Sequence, residues 1–123
     1  PRGSFATKTR FPSVTLIDEW PDDAVKTLEP DNRTALITLT HDPKLDDPAL
    51  EAALTSDCFY IGSLGSKKTH SSRVERLLSN GFTDKQISRI NAPIGLDIGA
   101  KSPSEIAVAI LAEVISAKYN KVL

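Results

Sequence analysis

No methionine occurs anywhere in the 123 residues, so the sequence does not open at an ordinary translation start and further chain is expected upstream. Its first four residues, Pro1-Arg2-Gly3-Ser4, read either as native chain or as the remnant of a protease site. Cysteine is almost missing too. The single thiol, Cys58, excludes a disulfide within the chain and favours a cytoplasmic setting. Its place at the start of an apolar run makes it a small buried hydrophobe. His41, His70 and Cys58 show no ligand spacing, so no metal site is expected. Neither sign of charge dominates, with 15 Lys and Arg against 16 Asp and Glu. That balance supplies no basic face for neutralising phosphates along a duplex, which argues against nucleic acid as a partner. No apolar run approaches the ~20 residues that span a bilayer, so no membrane association is expected. Internal repeats and low-complexity tracts are lacking.

What is present is the composition of an ordinary folded domain, 40% hydrophobic and 25% charged. A chain of this length buries roughly two-thirds of the surface its unfolded form exposes, enough for one core, and residues 1–123 are read as one domain. Val14–Asp18 reads as a short strand, and Trp20-Pro21 with Asp22-Asp23 as a helix start leading to Leu28. Ala35–Thr40 is almost wholly apolar and suits a central parallel strand covered on both faces. Pro48–Leu54 reads as a short helix with Ala49, Leu50, Ala53 and Leu54 on one stripe. Phe59–Gly62 is the next strand. The helix after it carries Val74, Leu77 and Leu78 on its apolar side and stops at Asn80-Gly81, where glycine supplies a left-handed cap.

Thr83 caps a short helix holding Ile87 and Ile90, and Ala92-Pro93-Ile94-Gly95 is extended. Ser102, Pro103 and Glu105 form the plainest helix start, a capping box. Behind it Ile106, Ala107, Ile110, Leu111, Val114 and Ile115 make a wide stripe that predicts tight packing on a sheet. Strands alternating with helices predict an α/β fold, an open and mostly parallel sheet with right-handed crossovers. No opening strand leads into a glycine-rich dinucleotide fingerprint, so the first half of a doubly wound sheet is absent from the sequence.

Open α/β sheets bind ligands beyond the carboxyl ends of their strands, which makes the segments after the strands the candidates for chemistry. In Thr40-His41-Asp42, His41 is read as a general base or ligand contact, or the segment as a turn made by Asp42-Pro43. Tyr60-Ile61-Gly62-Ser63-Leu64-Gly65-Ser66-Lys67-Lys68 has the layout of a strand, a tight turn and a helix N-terminus, where unpaired amides and the helix dipole hold an anion. The alternative is that the glycines only permit the turn and the lysines are solvated. It is not a P-loop, because the glycines stand too close and no Gly-Lys-Ser/Thr closes it. Gly95-Leu96-Asp97-Ile98-Gly99 brings a third loop to the same rim, with Asp97 bonding a ribose hydroxyl or a loop amide. His70 is read as an anion contact or as part of a solvated helix face.

Together, Leu39-Thr40-His41-Asp42-Pro43-Lys44, Tyr60-Ile61-Gly62-Ser63-Leu64-Gly65-Ser66 and Ala92-Pro93-Ile94-Gly95-Leu96-Asp97-Ile98-Gly99-Ala100 resemble the XdhC/CoxI family of xanthine dehydrogenase accessory proteins. Pro103-Ser104-Glu105-Ile106-Ala107-Val108 and Ile110-Leu111-Ala112-Glu113 resemble the last helix of that family's C-terminal Rossmann-like domain. Pro1-Arg2, Phe5-Ala6-Thr7 and Arg10-Phe11-Pro12 resemble the segment after its second strand.

The resemblance implies a three-layer Rossmann-like domain that here lacks the first β-α-β unit. It also implies an accessory role rather than catalysis. Such proteins mature molybdenum hydroxylases of the xanthine dehydrogenase or carbon monoxide dehydrogenase type, binding molybdenum cofactor (molybdopterin) and delivering it in sulfurated form to the apoenzyme. Carried over by position, the cofactor-binding residues are Thr40, His41, Asp42 and Lys44; Gly62, Gly65, Ser66 and Lys67; and Gly95, Asp97 and Gly99. An NAD(P)-binding oxidoreductase domain is the alternative, weakened by the missing fingerprint. The absent strands leave the edge of Ala35–Thr40 bare, which predicts pairing with another chain as a homo-oligomer or strand swap. A non-catalytic fragment that assembles through that edge is the third reading.

Overall fold

The computed structural model describes residues 9–10 and 13–119. Of the opening segment Pro1 to Pro12, only Thr9 and Arg10 fall within the described residues, so its family-like pattern lies outside them. The elements follow in the order α1 (Pro21–Leu28), β1 (Ala35–Thr38), α2 (Pro43–Leu54), β2 (Tyr60–Ser63), α3 (Lys67–Ser79), α4 (Asp84–Ile87), β3 (Ile90–Asn91) and α5 (Pro103–Lys118).

Helices begin where local side chains satisfy the amides that a first turn leaves unpaired. Asp42 accepts from the Lys44 amide at 3.0 Å, and Ser66 from the Thr69 amide at 3.1 Å. Thr83 with Gln86, and Ser102 with Glu105, form reciprocal capping boxes. Gly81, at φ 92°, takes the left-handed position just past α3.

The strands form one parallel sheet in the order β1-β2-β3, with Ala35 opposite Tyr60 and Ile61 opposite Ile90. Successive side chains on a strand point to opposite faces, and each face has its own core. On one face, Leu50, Ala53 and Leu54 of α2 and Leu77 of α3 close over Ile61 and Ile90. On the other, Ile106, Ile110 and Val114 of α5 lie on Tyr60, Ile37 and Ile94. The result is the three-layer, Rossmann-like α/β arrangement that the sequence predicts. Cys58 sits buried in the first core.

Several local readings change. Val14–Asp18 is not a strand: no described strand pairs with it, and Val14 and Ile17 are 56% and 38% exposed. A β-prone run without a neighbour has no ladder to join. β1 stops at Thr38 because the next residues turn toward α2, and β2 runs one residue later than its apolar pattern suggests. α2 begins at Pro43, not Pro48. Pro43 suits a first helical position, whereas Pro48 removes an interior hydrogen bond at a cost near 3 kcal/mol. Burying Leu50 and Leu54 returns roughly 1.5–3 kcal/mol each, so the helix continues through the proline.

Ile90 belongs to β3 rather than to the preceding helix, and Leu78 is 43% exposed while Arg73 turns inward. The wide stripe of α5 is only half used. Ala109 and Ile110 are buried, but Ala107, Leu111 and Ile115 face outward, because the sheet covers one side of the helix alone. Leu77→Ala is therefore expected to lower unfolding free energy by about 2–5 kcal/mol. Leu111→Ser should change it by less than about 0.5 kcal/mol. Urea unfolding of the two variants checks the contrast.

Candidate functional site

Parallel strands end on a common edge, and the segments after β1, β2 and β3 all leave from it. Two of these ends are stitched together. The Thr38 and Ser63 hydroxyl oxygens lie 2.7 Å apart in a buried position, and the Leu64 amide donates to the Thr38 carbonyl at 2.9 Å.

Asp46 of α2 organises the first loop. It is only 3% exposed; one carboxylate oxygen accepts from the Thr40 hydroxyl at 2.7 Å and the other from the His41 amide at 3.1 Å. That grip holds His41 at φ 65°, a left-handed conformation uncommon outside glycine. The neighbouring residue Arg73 is 2% exposed, and burial pulls its pKa down while the charges of Asp47 and Asp46 oppose the shift. One Arg73 nitrogen lies 3.2 Å from His70 Nδ1, and its Nε is buried with no hydrogen-bond partner among the described residues. An arginine offers no acceptor, so His70 Nδ1 must accept, which requires the neutral ring. Burial and the Arg73 charge hold the His70 pKa below its ordinary value. His70 is thus half-buried and bonded rather than part of a solvated face.

The third loop is fastened differently. A Cβ on Gly62 would lie 2.5 Å from Ile94 Cδ1 and 2.7 Å from the Tyr60 hydroxyl, so only glycine lets the loop settle onto β2. Gly95 has φ 93°, and a Cβ there would stand 3.2 Å from the Ala109 backbone. The Leu96 amide donates to the Ala109 carbonyl at 3.1 Å. Glu113 of α5 closes the arrangement: its Oε1 accepts from the Tyr60 hydroxyl at 2.6 Å and from the Gly95 amide at 3.1 Å. Burial, reinforced by the Glu113 carboxylate, pushes the Tyr60 pKa far above the usual tyrosine range.

Two cavities result. One of about 370 Å³ lies between Lys67, the loop residues Ile94, Gly95, Leu96, Asp97 and Gly99, and Ile106 of α5. Another of about 680 Å³ lies between Thr40, Asp42 and Lys44 and the segment Asp18, Glu19 and Trp20. The eleven sequence candidates therefore divide. Lys67 meets Gly95, Asp97 and Gly99 around the first cavity, and Thr40, Asp42 and Lys44 share the second. Gly65 and Ser66 shape the turn into α3, His41 is exposed, and Gly62 is buried within β2.

Sequence reasoning missed Glu113, Tyr60, Asp46 and Arg73. Glu113 did carry a signal, as the one charge between Ile106 and Ala117. The smaller cavity offers apolar walls and Lys67 of the first turn of α3, a set suited to an organic anion. Among the described residues no group of three His, Cys, Asp or Glu side chains could hold a metal ion.

Right-handed crossovers on one face of a parallel sheet, closed by a final helix on the other, define a Rossmann-type domain. The chain belongs to the XdhC Rossmann domain family, whose pattern matches residues 1–114. It is 34% identical over 118 residues to the Molybdenum cofactor insertion chaperone PaoD of Escherichia coli K12, covering 96% of this chain and 36% of that protein. Over 118 residues it is 31% identical to a probable xanthine dehydrogenase subunit of Bacillus subtilis strain 168, covering 95% and 34%. A crystal structure of a xanthine dehydrogenase from Bacillus halodurans matches with a TM-score of 0.78 at 30% identity, over 98% of this chain and 34% of that one. The chain spans about a third of the length of these proteins. No helix among the described residues is long and apolar enough to cross a membrane.

Glu113→Ala leaves the Tyr60 hydroxyl and the Gly95 amide without their acceptor and should cost about 1.5–3 kcal/mol, whereas Glu113→Gln keeps an oxygen in place and should cost less than half of that. Denaturant midpoints of the two variants decide. His70 gives a pH dependence of known sign. Its folded pKa is depressed, so the unfolded chain takes up a proton as pH falls through about 6.5 while the folded ring stays neutral. Stability should hold above that pH and fall below it, and His70→Gln should flatten this part of the profile in thermal melts.

Proposed function

We propose that the protein serves the maturation of molybdenum hydroxylases of the xanthine dehydrogenase or carbon monoxide dehydrogenase type. In this reading it binds molybdenum cofactor at the carboxyl edge of its sheet and hands it to the apoenzyme in the cytoplasm. The observation that carries the reading is the 370 Å³ cavity between the N-terminus of α3 and the 94–99 loop, in a chain whose relative PaoD is named a molybdenum cofactor insertion chaperone. Lys67, with the positive end of the α3 dipole and the Lys67 and Lys68 amides that the Ser66 cap leaves over, would take the phosphate of molybdopterin, with Gly65 and Ser66 aiming the turn. Ile94, Leu96 and Ile106 would line its ring system, and Asp97, beside Gly95 and Gly99, would accept from ring or chain donors.

In this reading the lining residues would hold the organic, anionic part of the cofactor, and among the described residues no group of three His, Cys, Asp or Glu could hold a metal ion. The molybdenum chemistry belongs to the group itself and to the enzyme that receives it. Thr40, Asp42 and Lys44 border the neighbouring cleft, with His41 exposed between them in sequence, and the exposed Trp20 on its wall would report on occupancy. Calorimetric titration with molybdenum cofactor released from a molybdenum hydroxylase tests the assignment. Saturable binding is expected, weakened about tenfold by Lys67→Ala through loss of one charge-assisted contact. Absence of saturable binding, or preference for NAD(P), contradicts it.

A further inference from the structure

Lys67 and the 94–99 wall meet at the smaller cavity, yet they are carried by opposite sides of the sheet, α3 packing in one core and Ile94 in the other. Lys67 is placed from β2. Leu64, Gly65 and Ser66 alone separate the end of that strand from the first turn of α3, and the Leu64 amide is fixed on the Thr38 carbonyl. The wall is placed from α5, where the Leu96 amide meets the Ala109 carbonyl and the Gly95 amide meets Glu113 Oε1. Glu113 joins the two lines. The same oxygen accepts from the hydroxyl of Tyr60, a residue of β2 that is 2% exposed. Strand, helix and wall thus converge on one carboxylate oxygen, although Glu113 does not line the cavity.

We propose that Glu113 is a positioning residue of the anion site: without touching the ligand, it sets the distance between the 94–99 wall and Lys67, and with it the affinity for a phosphate-bearing ligand. The inference rests on the reading of this cavity as the anion site. A half-buried carboxylate is a costly way to hold α5 on a sheet where Ile106, Ile110 and Val114 already hold it by apolar contact. What it adds is direction. A hydrogen bond fixes both distance and angle, and it does so at Gly95, whose φ of 93° leaves the turn no side chain to brace it.

Charge and geometry pull in opposite directions here. A carboxylate behind the wall repels an anion in front of it, so removing the charge alone tightens binding. Removing the acceptor instead releases the Gly95 amide and the Tyr60 hydroxyl, so the wall loses a tie to α5 and its reference to β2. The two ways in which Glu113 could act therefore differ in sign.

The test is calorimetric titration of the 123-residue chain and its variants with pyrophosphate at fixed ionic strength. Glu113→Ala should weaken binding about tenfold, the loss of one directed tie. Glu113→Gln keeps an oxygen in place and sheds the charge, so it should bind at least as tightly as the unaltered chain. Tyr60→Phe removes only the β2 arm and should weaken binding about threefold; it decides the matter if the alanine variant does not fold. Leu77→Ala, in the core on the other face, should lower stability and leave the affinity unchanged, which separates positioning from folding. Saturable binding by the unaltered chain with unchanged affinity in Glu113→Ala, or in Tyr60→Phe where that variant decides, overturns the role of Glu113 and leaves the site standing. Tighter binding by both Glu113 variants also overturns it, in favour of charge alone. No saturable binding by the unaltered chain overturns the site and the role of Glu113 together.

Discussion

β2 has no side exposed to solvent, and this constraint governs the rest of the molecule. Tyr60, Ile61, Gly62 and Ser63 are all buried, so each needs a partner on its own face or edge. Ile61 faces the leucines of α2 and α3, and Tyr60 faces α5. Ser63 meets Thr38 across the ladder, and Gly62 gives up its side chain to let Ile94 approach. A four-residue strand thereby fixes the register of β1 and β3 and the height at which α5 lies. Parallel pairing then obliges every following segment to leave from a single edge.

Two carboxylates turn that edge into defined walls. Asp46 bends the chain after β1 by taking the Thr40 hydroxyl and the His41 amide, and Glu113 holds the chain after β3 by taking the Gly95 amide together with the Tyr60 hydroxyl. Both reach in from helices. Loop geometry is therefore set by the layers that flank the sheet, and a shift of α5 would be transmitted through Glu113 to the 94–99 wall of the smaller cavity.

Features written in neighbouring residues were legible in the sequence. Ser102, Pro103 and Glu105, and likewise Thr83 and Gly81, satisfy or end a helix with atoms three or four residues away, so their types alone announce the structure. That the loops after the strands leave from one edge was also readable, because parallel strands leave no choice of edge, but their division between one cavity with Lys67 and the 95–99 loop and another with Thr40, Asp42 and Lys44 was not. Distant partners were not. Glu113 acts on residues 53 and 18 positions away, and the continuation of α2 through Pro48 depends on a core assembled from other elements. Val14–Asp18 shows the opposite failure, a strand pattern whose neighbours the sheet does not contain.

In the proposed role, the turn into α3 and the loop after β3 act as the two jaws of one anion site. Titrating the isotopically labelled protein with pyrophosphate and following its amide resonances is the decisive test. The signals of Gly65 to Lys68 and of Gly95 to Gly99 should shift together along one saturable isotherm. Shifts that never saturate, or that gather at the Ser102 end of α5 while both jaws stay still, would contradict it.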